Sequence, residues 1–207
     1  MRGSAAQPAP FYPVLPDAHW IARIVPLGVK TVQLRLKSTD AAAIGAAIRD
    51  SLATCRTHGC QLIINDHWRE AIKAGADYIH LGQEDLAQAD LTGIRGAGLK
   101  LGLSTHDEAE LATALAAKPD YIALGPIYPT TLKVMRFAPQ GLERIAEWKR
   151  RIGAIPLVAI GGITLERAPA VFAQGADSIA VVSDVTAQPD PEARVRDWLN
   201  SAHPARD

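Results

Sequence analysis

Asp66 and Asp85 each follow a short apolar run, Leu62 to Asn65 and Tyr78 to Leu81. Carboxylates at the ends of neighbouring strands put hard oxygen donors around one small volume. Most of the coordination sphere is left to water and substrate, which suits Mg²⁺ held against a diphosphate. The plainer alternative is that Asp66 caps the next helix and Asp85 starts a turn. Gln33, Arg35 and Lys37 alternate along the run that begins at Thr31, so on a regular strand all three face one way. A buried interior does not accept two unpaired cations, so Arg35 and Lys37 either meet anionic oxygens at the strand end or form an internal salt bridge.

Two further strand ends carry small residues. Gly161-Gly162 and Val182-Ser183 follow the last two apolar runs, and glycine there lets backbone N–H groups approach an anion closely, although a simple tight turn needs the same residues. His80, inside Tyr78-Ile79-His80-Leu81, reads as a hydrogen-bonded core histidine. His67 and His106 lie just after strands, where a ligand could touch them. No serine or cysteine has a local nucleophile context such as GxSxG, so triad hydrolysis is not indicated.

The elements that must position these residues are legible from the apolar runs. They are Tyr12 to Leu15, Thr31 to Leu36, Leu62 to Asn65, Tyr78 to Leu81, Leu101 to Ser104, Tyr121 to Leu124, Leu157 to Ile160 and Ile179 to Ser183. Several are apolar throughout, as parallel strands covered on both faces are. Segments with helical spacing lie between them, among them Ala41 to Arg56 and Asp107 to Ala117, and a closing helix is expected around Ala193 to Ser201. Strand and helix alternating without interruption means a parallel sheet. Eight units with no spare length predict an α/β fold, a single (β/α)8 TIM barrel over residues 1–207, with 1–10 as an extension and 202–207 as a frayed tail. An eight-stranded doubly wound sheet shares the same pattern. In a barrel the strand ends converge on one rim, where active sites of this fold are found.

The bulk properties narrow the ligand class. With 207 residues, 48% of them hydrophobic and 21% charged, the chain can bury a substantial core as one soluble domain. Lys plus Arg (22) balances Asp plus Glu (22), so no positive field favours nucleic acid or an anionic membrane. Cys55 and Cys60 stand outside metal-ligand spacing and are expected to be idle thiols. No apolar stretch suits a signal peptide or a membrane span, so a cytoplasmic location is expected, with small-molecule partners and a homo-oligomer left open.

In chain order the strand ends read Gln33 to Lys37, Asn65-Asp66, His80 to Asp85, Gly102 to His106, Gly125 to Lys133, Ala138 to Gly141, Ala159 to Ile163 and Val181 to Ser183. Together they resemble the thiamine phosphate synthase family, whose members join a hydroxymethylpyrimidine diphosphate to a thiazole phosphate and release diphosphate. The resemblance implies a TIM barrel, Mg²⁺ on Asp66 and Asp85, and a pyrimidine diphosphate held by Gln33, Arg35, Lys37, Asn65, Ser104 and Lys133. Of these, Arg35, Lys37, Ser104 and Lys133 would act in catalysis. Thr130, Thr131, Gly162, Val182 and Ser183 would hold the thiazole phosphate, and Leu34, Leu36 and Leu132 would line the substrates. One position departs from the family's PTxTK pattern: Pro129-Thr130-Thr131-Leu132-Lys133 has leucine where a threonine hydroxyl is usual. Two other readings are a thiazole tautomerase-like barrel, which would not need the carboxylate pair, and a non-catalytic sensor of a thiamine precursor.

Overall fold

The computed structural model describes residues 7–130 and 137–201. In chain order its main elements are β1 (Phe11–Leu15), α1 (Ala18–Ile24), β2 (Thr31–Leu34), α2 (Ala41–Thr57), β3 (Gln61–Asn65), α3 (Trp68–Ala74), β4 (Tyr78–Leu81), α4 (Gln83–Leu86), α5 (Leu91–Gly96) and β5 (Lys100–Thr105). They continue with α6 (Glu108–Ala116), β6 (Tyr121–Leu124), α7 (Gly141–Ile152), β7 (Leu157–Ile160), α8 (Ala168–Ala173), β8 (Ser178–Val181), α9 (Ser183–Thr186) and α10 (Pro191–Ser201). Aspartates start many of the helices. Asp17, Asp40, Asp90 and Asp107 each accept a backbone N–H from the first turn, ahead of α1, α2, α5 and α6.

Every strand pairs in parallel with the next, and β8 returns to β1 through Phe11 opposite Ile179, so the sheet closes into a barrel of eight strands. Closure disposes of the doubly wound alternative. The alternation of side chains then sorts residues into two cores. Outward residues such as Leu15, Leu34, Ile64, Ile79, Leu103 and Ile122 pack with the helices. Inward residues Tyr12, Val14, Ile63, Tyr78, Tyr121, Ala123, Val158 and Ala180 fill the barrel. Ala9 and Pro10 are tied to the barrel's N-terminal end, because Ala9 N–H donates to Thr31 Oγ1 at 3.0 Å and Ile179 N–H to the Pro10 carbonyl at 2.7 Å. Among the described residues no helix is long and apolar enough to cross a membrane.

Two strands stop two residues short of the sequence reading. β2 stops at Leu34 rather than Leu36, and β8 runs Ser178–Val181 rather than to Ser183, which instead opens α9. Arg35 still continues the ladder through its N–H to the Leu15 carbonyl at 2.8 Å, but Lys37 lies beyond regular strand and its direction does not follow from parity with Gln33. Leu34, 1% exposed, is packed in the outer core, so its side chain points away from the mouth and only its backbone faces it.

Candidate functional site

Four inward residues near the C-terminal ends of β2 to β5 are polar: Gln33, Asn65, His80 and Ser104. His80 is buried, with Nε2 2.8 Å from Ser104 Oγ and Nδ1 2.7 Å from the Tyr121 hydroxyl. Burial pushes its imidazole down to about 4, and the Arg35 charge adds to the shift. A neutral imidazole has one N–H, so one hydroxyl donates to the ring and the other accepts from it. Tyr121 also hydrogen-bonds Tyr12 and Gln33, which links β1, β2, β4, β5 and β6 into one polar network. Its ring has room because Gly102 lies opposite it in register. Gln83 Nε2 donates to the Ser104 carbonyl at 2.6 Å and holds the end of β5 from α4. The core-histidine reading of His80 holds.

Beside this network the chain turns sharply after β3. Asp66 has φ 65° and donates its N–H to the His80 carbonyl at 2.9 Å. Asn65 Nδ2 donates to Asp66 Oδ2. The Asp66 side chain caps no helix, since His67 precedes α3 and offers no side-chain cap, and Asp85 sits within α4 rather than at a turn. Instead the two carboxylates lie close enough together for the charge of Asp85 to act on Asp66. Burial, then the Asp85 charge, pushes Asp66 up to about 6, against the pull of Arg35 and His67. They open onto a cavity of about 380 Å³ whose walls include Leu36, Lys37, His67 and Trp68. His67 Nε2–H donates to the Leu36 carbonyl at 2.9 Å, tying the loop after β2 to the loop after β3. Among the described residues neither Arg35 nor Lys37 forms an ion pair within 4.0 Å, contrary to the internal salt-bridge alternative.

On the opposite arc of the mouth, the loop after β6 lies against the loop after β7. Ile127 N–H donates to the Ile160 carbonyl at 2.9 Å and Tyr128 N–H to the Gly161 carbonyl at 3.0 Å. Gly162, at φ 63°, has no room for a side chain, because a Cβ would stand 2.5 Å from the Pro129 carbonyl oxygen. Arg167 donates to the Gly162 carbonyl at 2.5 Å and lies 4.4 Å over the Tyr128 ring. Val182 and Ser183 stand at the start of α9, after the neighbouring strand β8, and by that position form with Gly161-Gly162 the two halves of a cup at the rim. The cavity by the acids does not include Gly162, Val182 or Ser183 in its walls, so the mouth has an acidic-cationic side and a glycine-serine side. Thr130 ends the described segment there, and Thr131, Leu132 and Lys133 lie outside the described residues.

His106 pairs with Glu110, Nδ1 to Oε2 at 2.7 Å, and stacks on Phe137 with ring centroids 4.7 Å apart. Sequence reading missed Tyr121, Gln83 and Glu110. Gln83 stood inside a quoted motif and Glu110 lies one helical turn from His106, but nothing in the sequence pairs Tyr121 with His80, 41 positions away.

The thiamine monophosphate synthase family model matches residues 13–185. A thiamine-phosphate synthase of Rhizobium etli is 62% identical over 197 residues, which are 95% of this chain and 97% of that protein. One from Neisseria meningitidis serogroup A is 51% identical over 189 residues, 91% of this chain and 92% of that protein. The solved thiamine phosphate pyrophosphorylase from Pyrococcus furiosus shares the fold, with a TM-score of 0.80 at 24% identity over 93% of this chain and 94% of that one.

Proposed function

The chain belongs to the thiamine monophosphate synthase family, and on that premise we propose that it condenses a hydroxymethylpyrimidine diphosphate with a thiazole phosphate to give thiamine phosphate and diphosphate. The observation that carries this reading is the proximity of Asp66 and Asp85 at the cavity that Lys37 also lines. A carboxylate whose proton affinity is raised by burial and by a second carboxylate beside it belongs to a donor set short of positive charge. The hard oxygens of the pair fit Mg²⁺, which takes few protein ligands and keeps the rest of its sphere for water and phosphate. Asp66 and Asp85 would hold the ion, and when bound it would neutralise charge on the departing diphosphate.

The remaining work falls to the protein's side chains. Arg35, Lys37 and Lys133 would neutralise the diphosphate, while Gln33, Asn65 and Ser104 would orient the pyrimidine, with Leu36 and the Leu34 backbone beneath it. The bond between the pyrimidine methylene carbon and the bridging oxygen breaks first, and its electron pair leaves with diphosphate. The thiazole ring nitrogen then donates its lone pair to the pyrimidine-stabilised carbocation, forming the new C–N bond. Positioning and charge neutralisation suffice for such a step, so no side-chain nucleophile is required. Thr130, Thr131, Gly162, Val182 and Ser183 would hold the thiazole phosphate across the mouth. Leu132 would offer this phosphate an apolar group where a threonine hydroxyl is usual. The reading implies a cytoplasmic enzyme of small molecules.

The test is turnover. Purified protein with both substrates and Mg²⁺ is expected to form thiamine phosphate, followed by chromatography, and to lose it with EDTA or on Asp85→Ala. Product formation indifferent to both would remove the acid pair from the mechanism.

A further inference from the structure

Asp184 directly follows Ser183 of the cup, yet its side chain is only 4% exposed. A carboxylate so buried needs partners on both oxygens. Oδ2 accepts from Leu165 N–H at 3.2 Å, Arg194 Nε at 3.0 Å and Trp198 Nε1 at 2.7 Å, and Oδ1 accepts from Arg194 Nη2 at 3.0 Å. Arg194 therefore grips Asp184 with a two-pronged fork, and the same Nη2 also donates to Glu166 at 3.0 Å.

These partners come from three places. Leu165 and Glu166 end the loop that starts at Gly161-Gly162 after β7, Asp184 lies at the start of α9 after β8, and Arg194 and Trp198 belong to α10. Trp198 in turn is stacked on Phe11 of β1, with centroids 4.9 Å apart and planes 9° apart, so the grip is anchored in the barrel wall. One carboxylate thus spans both halves of the cup. The glycine half most needs an external hold, because Gly161 and Gly162 have φ of 98° and 63° and no side chains of their own to pack. Stability alone does not call for the arrangement, since well-packed apolar residues often replace a buried ion pair at no loss. A forked ion pair instead fixes distance and direction.

We propose that Asp184, gripped by Arg194, is a positioning residue for the cup: it sets the spacing between the Gly162 and Ser183 sides, and so the affinity for the thiazole phosphate, without touching that ligand. The proposal rests on the synthase reading in that it takes this cup as the thiazole phosphate subsite.

Steady-state kinetics of Asp184→Asn, Arg194→Lys and Trp198→Phe would test it, with calorimetric titration of each variant by the thiazole phosphate alone. Asp184→Asn turns an amide donor toward the Arg194 fork and is expected to raise the KM and Kd for thiazole phosphate about tenfold, since misplacement by a fraction of an ångström is costly in a preorganised site. The KM for pyrimidine diphosphate should not move. Arg194→Lys keeps the charge but loses the fork, and Trp198→Phe removes a single donor, so both should show smaller rises. Arg194 lies on a half-buried helix face, so Arg194→Lys carries the test if Asp184→Asn does not fold. A lower Tm with both KM values unchanged, or an equal rise in both, would overturn the positioning role in favour of a merely structural one. Wild-type protein that binds the thiazole phosphate but makes no product would remove the synthase reading, and the Kd comparison would still decide the role of Asp184.

Discussion

Gly102 and Tyr121 face each other across β5 and β6, and the glycine is the space in which the tyrosine ring lies: a Cβ at residue 102 would stand 2.1 Å from Tyr121 Cζ. That vacancy lets the Tyr121 hydroxyl reach His80, whose other nitrogen meets Ser104.

Gly102→Ala therefore forces the ring or the strand to move, and overpacking of this kind costs about 1–3 kcal/mol. The displaced ring also frees His80 and Ser104, so kcat should fall as well. Urea denaturation and steady-state kinetics check both, and a variant with wild-type stability would mean that the ring has another place to go.

Two tyrosines inside the barrel should respond oppositely to loss of the hydroxyl. The rings of Tyr78 and Tyr121 are 5.6 Å apart, but the buried Tyr78 hydroxyl has no partner among the described residues. Tyr78→Phe removes an unsatisfied polar atom and should leave stability unchanged or raise it by about 1 kcal/mol. Tyr121→Phe strips partners from His80, Gln33 and Tyr12, and should cost about 1–3 kcal/mol. Thermal melts of the two variants side by side decide the matter.

Stability against pH should show two opposed slopes in metal-free protein. His80 falls from its ordinary 6.5 to about 4 through burial, so the unfolded chain binds a proton that the folded chain refuses. The contribution is full above pH 6.5 and is lost as pH drops toward 4, a loss of about 3 kcal/mol by linkage. Asp66 rises from 3.8 to about 6, so its contribution is full below pH 3.8 and is lost as pH climbs through 6. Asp66→Asn should therefore steepen the acid-side loss of stability, while His80→Gln should remove it. Denaturant titrations from pH 4 to pH 7 would read the slopes, and unchanged slopes in both variants would reject the assignment.

The acid pair and its cation should separate in kinetics. Asp85→Asn is expected to raise the Mg²⁺ concentration needed for half-maximal rate by at least about 10-fold, since loss of even an outer-shell partner of a metal ligand costs that much. Lys37→Ala should raise the KM for pyrimidine diphosphate while leaving the KM for thiazole phosphate in place, because Lys37 lines the cavity of the acids and stands apart from the glycine-serine cup. A rise confined to the thiazole substrate would reverse the two halves of the mouth.

The sequence by itself determined the eight strands and the order of residues around the mouth, because each of these depends on neighbours within a strand. Apolar runs marked β3, β4, β6 and β7 to within a residue, since side chains buried on both faces leave a continuous hydrophobic signal. Only the tertiary structure decided the end of β2 at Leu34, the proximity of Asp66 and Asp85, the seat of Tyr121 in the gap at Gly102, and the grip of Arg194 on Asp184. These relations join residues on different elements, and their distances follow from strand register and closure of the barrel. Neither is encoded in any local period, so residue types predicted which groups meet at the rim but not which of them touch.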